Sequence, residues 1–263
     1  NRGIGRVTCA ALIQQYSDPL ILYTASRAGS PIDLSGLSIP PTVQVRPAQL
    51  SLTEQASINA LSTRIGHEHQ GCDILINEAG SNTSRRTSLP PSVSETLDVN
   101  YRGTLNVCQA FIPIMRQGSR IISVSSQSGQ LKYFHPRLRA RFLKEDLPME
   151  GLDASLDEYS HSATQATATA SGWPPLTYFT SKAALNAATR IFARENLHLL
   201  INCCCPGWVG TSLGAQAGVP PKFGEEGARI PVRLAIGKIG RVNGRYWAND
   251  SVASMADGRV QDW

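Results

Sequence analysis

Tyr178-Phe179-Thr180-Ser181-Lys182 has a spacing that suits proton transfer. Residues i and i+4 share one face of a helix, so a helix here sets a phenol beside an ammonium. A free Tyr has a pKa of about 10, and a neighbouring cation lowers it by favouring the phenolate. The pair would then be an acid able to protonate an alkoxide formed by hydride transfer. A surface Tyr next to a solvated Lys has the same spacing, so the pair alone does not decide the chemistry.

Other segments place polar groups where ligands bind in open parallel sheets, outside the carboxyl ends of strands. Ser125-Ser126-Gln127-Ser128-Gly129 follows the apolar run Arg120 to Val124, and a hydroxyl there can hold a substrate carbonyl. Asn77-Glu78-Ala79-Gly80 follows Asp73 to Ile76, and Pro206-Gly207-Trp208 follows Leu199 to Cys205. Each also reads as an ordinary turn. Asn1-Arg2-Gly3-Ile4-Gly5 opens directly into a helix. Backbone N–H groups at a helix N-terminus favour an anion such as a pyrophosphate. A phosphate loop of this kind normally follows a strand, and no strand precedes this one.

The elements that must position these groups alternate. Short apolar runs predict strands at Leu20 to Thr24, Thr42 to Val45, Asp73 to Ile76, Arg120 to Val124 and Leu199 to Cys205. Helical stretches run from Gly5 to Tyr16, Glu54 to His67, Val93 to Met115 (with Pro113 a candidate interruption) and Thr177 to Asn196. The alternation predicts an α/β fold, a mostly parallel sheet with helices on both faces. From about 130 to 175 the chain turns polar, which reads as an insertion, part helical and part disordered.

Composition narrows the classes. The 263 residues can bury a sizeable core. No apolar run is long enough to span a membrane, and the start does not read as a signal peptide. The net charge is +5 with the basic residues scattered, which argues against a nucleic-acid partner. Arg supplies 20 of the 25 basic residues, a bias suited to phosphate recognition. The six cysteines form no C-x-x-C pair, so neither a metal site nor a disulfide framework is expected. Cys203-Cys204-Cys205 reads as reduced thiols in a buried strand, which points to the cytosol.

In their joint order these segments resemble the short-chain dehydrogenase/reductase family, and within it the monomeric carbonyl reductases. Gly3 and Gly5 match the last two glycines of the family's phosphate loop. Asn77-Glu78-Ala79-Gly80 looks like its N-N-A-G with Glu78 for the second Asn. Asn100-Tyr101-Arg102-Gly103 matches N-x-x-G, Ser126 the catalytic Ser, and Tyr178 with Lys182 the Y-x-x-x-K. Cys204-Cys205-Pro206-Gly207-Trp208-Val209, Gly172-Trp173-Pro174 after the insertion, and Arg259-Val260-Gln261-Asp262-Trp263 look like the carbonyl reductase subgroup.

The resemblance implies a single Rossmann-type doubly wound domain over 1–263 whose first, central strand is missing from this chain. It implies a monomeric cytoplasmic enzyme that binds NADP(H) and reduces a small carbonyl compound: a ketone, aldehyde or quinone. Asn100, Ser126, Tyr178 and Lys182 would be catalytic. Ser126 would orient the carbonyl oxygen, Tyr178 donate the proton, and Lys182 lower the Tyr pKa and bind the nicotinamide ribose. Asn100 would support a water relaying protons through Lys182. Arg2, Gly3, Ile4, Gly5, Arg27, Asn77, Ala79, Gly80, Pro206, Gly207, Val209 and Thr211 would line the cofactor, with Thr211 at the nicotinamide amide. Gln127 and Trp208 would line the substrate pocket. Ser51 stands where the family has an Asp against adenine. The alternative is a catalytically impaired NADP(H)-binding pseudoenzyme, motivated by Glu78 and the missing strand.

Arg27, with Arg2 as a second candidate, would select the phosphorylated cofactor, because Arg recognises a 2′-phosphate and an acidic residue would favour NAD. Arg27→Asp is therefore expected to move the NADPH/NADH preference toward NADH, read as the ratio of kcat/KM for the two cofactors.

Overall fold

The computed structural model describes residues 2–82 and 90–263; Asn1 lies outside the described residues. The sheet consists of two blocks. Strands β1 (Leu20–Ser26) and β2 (Val43–Gln49) pair in parallel. Strands β3 (Cys72–Asn77), β4 (Met115–Val124), β5 (Leu200–Cys204) and β6 (Tyr246–Ala248) form a second parallel set, closed by antiparallel β7 (Arg259–Gln261). In register, Leu75 lies opposite Ile121, and Ile121 opposite Ile201.

Adjacent residues along a strand point to opposite faces, and both faces here are covered. Helices α1 (Gly3–Gln15) and α8 (Gly224–Ile236) pack with Leu22, Ile74, Ile76, Ile122 and Val124. On the other face, α2 (Gln55–His69) and α4 (Gly103–Phe111) cover Tyr23, Ala48 and Leu75. Helix α7 (Thr177–Glu195) and α3 (Pro90–Leu97) cover Ile121 and Ile201. This is the doubly wound parallel arrangement that the strand–helix alternation predicts.

Among the described residues β1 pairs only with β2, and β3 only with β4. The two edges are correspondingly wetter. Every residue of β3 is at least partly exposed, whereas Ile121 to Val124 of β4 are all buried. Ile21 in β1 is 42% exposed. The blocks are joined through the helices that share Tyr23, Ala48 and Leu75 on one face and Leu22, Ile74 and Ile76 on the other.

Three expectations need correction. The helix expected from Val93 to Met115 is broken: α3 runs into a π-helical turn at Asp98–Arg102, α4 follows, and a 3₁₀ turn at Ile112–Ile114 ends it. Pro113 has no N–H to continue a helix, and Met115 already belongs to β4. Helix α8 and strands β6 and β7 were not expected. Pro231 sits inside α8 and β6 has three residues, so neither leaves a strong pattern.

The segment from 130 to 175 shows no disorder. It forms α5 (Pro136–Leu143) and α6 (Met149–Thr164) and buries an aromatic cluster of Phe134, Phe142, Tyr159 and Trp173. Trp173 meets the other three rings at centroid distances of 5.3–6.2 Å. Tyr159 donates to Thr177 Oγ1 at 2.9 Å, which ties α6 to the first residue of α7. Trp173→Ala is expected to cost about 3–5 kcal/mol of stability, measured by urea unfolding.

Candidate active site

Helix α7 begins one residue before Tyr178, which places Tyr178 and Lys182 on its first two turns at the carboxyl end of β4. Two contacts hold it there. Lys182 Nζ donates to the Val124 carbonyl at 2.8 Å, and Ser125 Oγ donates to the Lys182 carbonyl at 3.3 Å. Gly129 makes the approach possible. A Cβ at that position would stand 2.7 Å from the Lys182 carbonyl carbon and 2.8 Å from Ala183 N, so no larger residue fits.

Lys182 Nζ lies 5.7 Å from the centre of the Tyr178 ring. The phenol differs from expectation. Burial pushes its pKa up to about 12, the buried Cys205 thiol adds to this, and hydrogen bonding with Ser126 opposes it. The Lys182 ammonium is directed at the Val124 carbonyl, and for the phenol the effect of burial is the larger one. Burial in turn brings the Lys182 pKa down to about 8. At neutral pH the site therefore holds a protonated phenol and a charged ammonium.

Ser126 takes an extended backbone conformation at the exit of β4, and its Oγ accepts from Ser128 N at 3.1 Å. Asn100 lies in the π-helical turn, a distortion often found at functional sites. Its side chain accepts from Ser81 N (2.7 Å) and donates to Ser81 O (2.8 Å) and Ser181 Oγ (3.0 Å). Asn100 thus fastens the loop after β3 to α7, with one lone pair of Oδ1 left over. A Cβ on Gly80 would meet both Asn100 Oδ1 (3.5 Å) and Lys182 Nζ (3.6 Å), so Asn100, Gly80 and Lys182 share one corner. Ser81 and the π turn were not expected; a π turn has no sequence signature of its own. Ser181 stands inside the Tyr178–Lys182 pentapeptide, and its spacing to Asn100 could not be read from the chain.

The remaining residues divide into two groups. Thr211 packs on Gly3, its Cγ2 lying 3.4 Å from where a Gly3 Cβ would be, so the loop after β5 meets the start of α1. Gly3 has a positive φ of 57°. Arg2, Arg27, Ala79 and Gly80 are exposed, and Ile4, Gly5, Gly207 and Trp208 are half-buried. Others face inward. Asn77 Nδ2 donates to Cys108 Sγ and Ser123 Oγ. Gln127 Nε2 donates to the Asn249 carbonyl. Val209 is buried beside Gly227, and Pro206 is buried at the exit of β5. Ser51 lies at the entry to α2, where its N–H donates to Ser57 Oγ.

Glu78 points into the first turns of α1. It accepts from Thr8 Oγ1 at 2.6 Å, and its Oε2 lies 3.7 Å from where a Gly5 Cβ would be. Burial raises its pKa to about 7, against the lowering effect of the Thr8 bond. Burial also raises the thiols of Cys203, Cys204 and Cys205, which are all free. Among the described residues no group of three His, Cys, Asp or Glu side chains is placed to hold a metal, and no helix is long and apolar enough to cross a membrane.

A nicotinamide dinucleotide fits these residues. The start of α1 offers backbone donors, Arg2 and Arg27 are exposed, and the buried Lys182 ammonium has one acceptor among the described residues, the Val124 carbonyl. A doubly wound parallel sheet with Ser, Tyr and Lys at one strand exit defines a dinucleotide-dependent oxidoreductase class. The family model for short chain dehydrogenases matches residues 1–137. Carbonyl reductase [NADPH] 1 of Oryctolagus cuniculus is 30% identical over 246 residues, covering 90% of this chain and 88% of that protein. Carbonyl reductase [NADPH] 3 of Rattus norvegicus is likewise 30% identical over 246 residues, with the same coverage. Among solved structures, salutaridine reductase from Papaver somniferum superposes with a TM-score of 0.78 at 25% identity, covering 95% of this chain and 96% of that one. The chain belongs to the short chain dehydrogenase family.

Glu78 makes stability depend on pH. Its pKa in the folded chain lies above the ordinary 4.5, so the folded state holds its proton more tightly than the unfolded one. That contribution is complete below about pH 4.5 and is lost as pH rises through about 7. Urea unfolding from pH 5 to 8 is expected to show wild type losing stability relative to Glu78→Gln, by a few kcal/mol at most.

Proposed function

We propose that the protein is an NADP(H)-dependent reductase that converts a ketone, aldehyde or quinone to the alcohol. The observation that carries this reading is the convergence of Ser126, Tyr178 and Lys182 at the exit of β4, with the phenol held in its protonated form. Burial raises the Tyr178 pKa to about 12, so the group is a proton donor throughout the neutral range. That state suits reduction, in which the substrate oxygen gains a proton.

Each residue then has a separate task. Ser126 Oγ donates to the substrate oxygen and turns it toward Tyr178. Tyr178 Oη gives up the proton. Lys182 Nζ stabilises the resulting phenolate by charge, and its other N–H groups are available to ribose hydroxyls. Asn100 fixes the Ser81 backbone against Ser181, which keeps the corner beside Lys182 in shape; its remaining lone pair is the position for a relaying water. Bound reduced nicotinamide supplies the hydride. Arg2 and Arg27 supply cations for a 2′-phosphate, and Thr211 and Trp208 border the nicotinamide and substrate sides. A monomer fits this reading, because α5 and α6 already pack on α7. A reducing compartment such as the cytoplasm fits the free cysteines.

Three substitutions separate the roles. Tyr178→Phe is expected to lower kcat for a small ketone by about 10²–10⁴-fold while NADPH still quenches protein fluorescence. Ser126→Ala should lower kcat more than it changes NADPH affinity. Lys182→Met should weaken NADPH binding as well as turnover. Wild-type carbonyl reduction by Tyr178→Phe would overturn the mechanism, and NADPH binding by a wild type that reduces no carbonyl would favour the pseudoenzyme.

A further inference from the structure

Lys222 is a buried cation that the chemistry above does not use. It is 2% exposed, and among the described residues no carboxylate lies within ion-pairing distance of it. Its Nζ donates to the Pro206 carbonyl at 3.0 Å. An ammonium withdrawn from water is costly to bury unless polar groups take its hydrogens. Burial does lower its pKa. We infer that Lys222 is a positioning residue: it pins the 206–222 loop and thereby sets where Trp208 and Thr211 stand relative to the start of α1. The inference rests on the reading of this loop as the nicotinamide and substrate border.

The backbone of Lys222 closes the loop and its side chain closes it a second time. Lys222 O accepts from Gly210 N at 2.8 Å, and Lys222 N donates to Trp208 O at 3.3 Å. The side chain then reaches two residues beyond Trp208 to the carbonyl of Pro206, at the point where the chain leaves β5. The residue in between is shaped by that reach. Gly207 has φ +89°, and a Cβ there would stand 2.7 Å from Lys222 Nζ and 2.6 Å from the Val252 carbonyl. Lys222 and Gly207 are thus a matched pair, the cation filling the volume that the missing side chain leaves.

The far end of the loop is open to solvent. Val219 is 89% exposed and Phe223, just past Lys222, is 77% exposed. Within the loop, Trp208 Nε1 donates to Gly214 O at 2.9 Å and Thr211 Oγ1 accepts from Gly214 N at 3.0 Å. Those bonds fix the loop's own shape. Its attachments to the rest of the fold include the Val252 carbonyl, which accepts from Trp208 N at 2.9 Å, Val209 packed on α8, Thr211 packed on Gly3, and Lys222.

Lys222→Met keeps the stem and removes the ammonium; Lys222→Arg keeps a cation. The first measurement is hydrogen exchange of the unliganded chain, followed by peptide. Lys222→Met should speed exchange of the amides at 208, 210 and 222 by about tenfold or more, leave β4 and β5 unchanged, and be at least partly reversed in Lys222→Arg. The second is steady-state reduction of a small ketone with NADPH deuterated at the transferred position. Misplacing the loop should raise the NADPH KM several-fold and increase the isotope effect on kcat. Exchange that rises equally in β4 and β5, or stays at the wild-type rate in the loop, overturns the inference, as does an unchanged isotope effect and KM. A wild type that reduces no carbonyl would instead count against the proposed function, and the exchange result would still decide the role of Lys222.

Discussion

One hydrogen bond, from the Lys182 ammonium to the carbonyl of Val124, fixes the relation between helix and sheet on which the site depends. Val124 is the last residue of β4 and Lys182 is one turn into α7. Their contact sets the phenol of Tyr178 over the strand exit that presents Ser126. Gly129 lets the backbones approach closely enough for the bond to form, and the Ser125 hydroxyl repeats the tie one residue further along. The ammonium is held by a main-chain dipole and not by a carboxylate, so its charge is not neutralised within the protein. It can therefore act on a phenolate or a ribose hydroxyl.

The surroundings of this bond explain why the phenol behaves differently from the isolated i, i+4 pair. In an exposed helix the nearest cation would dominate the Tyr pKa. Here both groups are withdrawn from water, and loss of hydration outweighs their mutual attraction across 5.7 Å. The phenol goes up and the ammonium comes down. Loss of a proton by Tyr178 would strengthen the attraction, so the help Lys182 gives grows as charge develops. That is the differential stabilisation a proton-transfer step requires.

Much of the frame was legible in the chain. Runs such as Arg120 to Val124 and Leu199 to Cys205 are mostly apolar and do not alternate, because both faces of the sheet are covered, and their exits carried the turn residues that mark Ser126 and Gly207. Tyr178 and Lys182 were legible because a helix puts i and i+4 together. What was hidden has physical causes. The π turn around Asn100 is a backbone choice made by packing. Helix α8 contains Pro231, which propensity alone would exclude. The polar insertion buries Trp173, Tyr159, Phe134 and Phe142, but they are spread so far apart in sequence that no periodicity shows them. Glu78 reads as a misplaced charge until Thr8, seventy residues earlier, is seen to bond with it.

The division of the sheet into two blocks has a thermal consequence. Between β3, β4 and β5, cohesion comes from backbone hydrogen bonds as well as from side chains. Among the described residues no backbone ladder joins β1 to β3, and cohesion there comes from side chains, through Leu22 and Tyr23 on the one hand and Ile74, Ile76 and Leu75 on the other. Apolar association weakens on cooling while a hydrogen-bonded ladder is far less affected. The block of β1 and β2, which holds to β3 through apolar side chains, is thus the part of the sheet whose attachment weakens most on cooling.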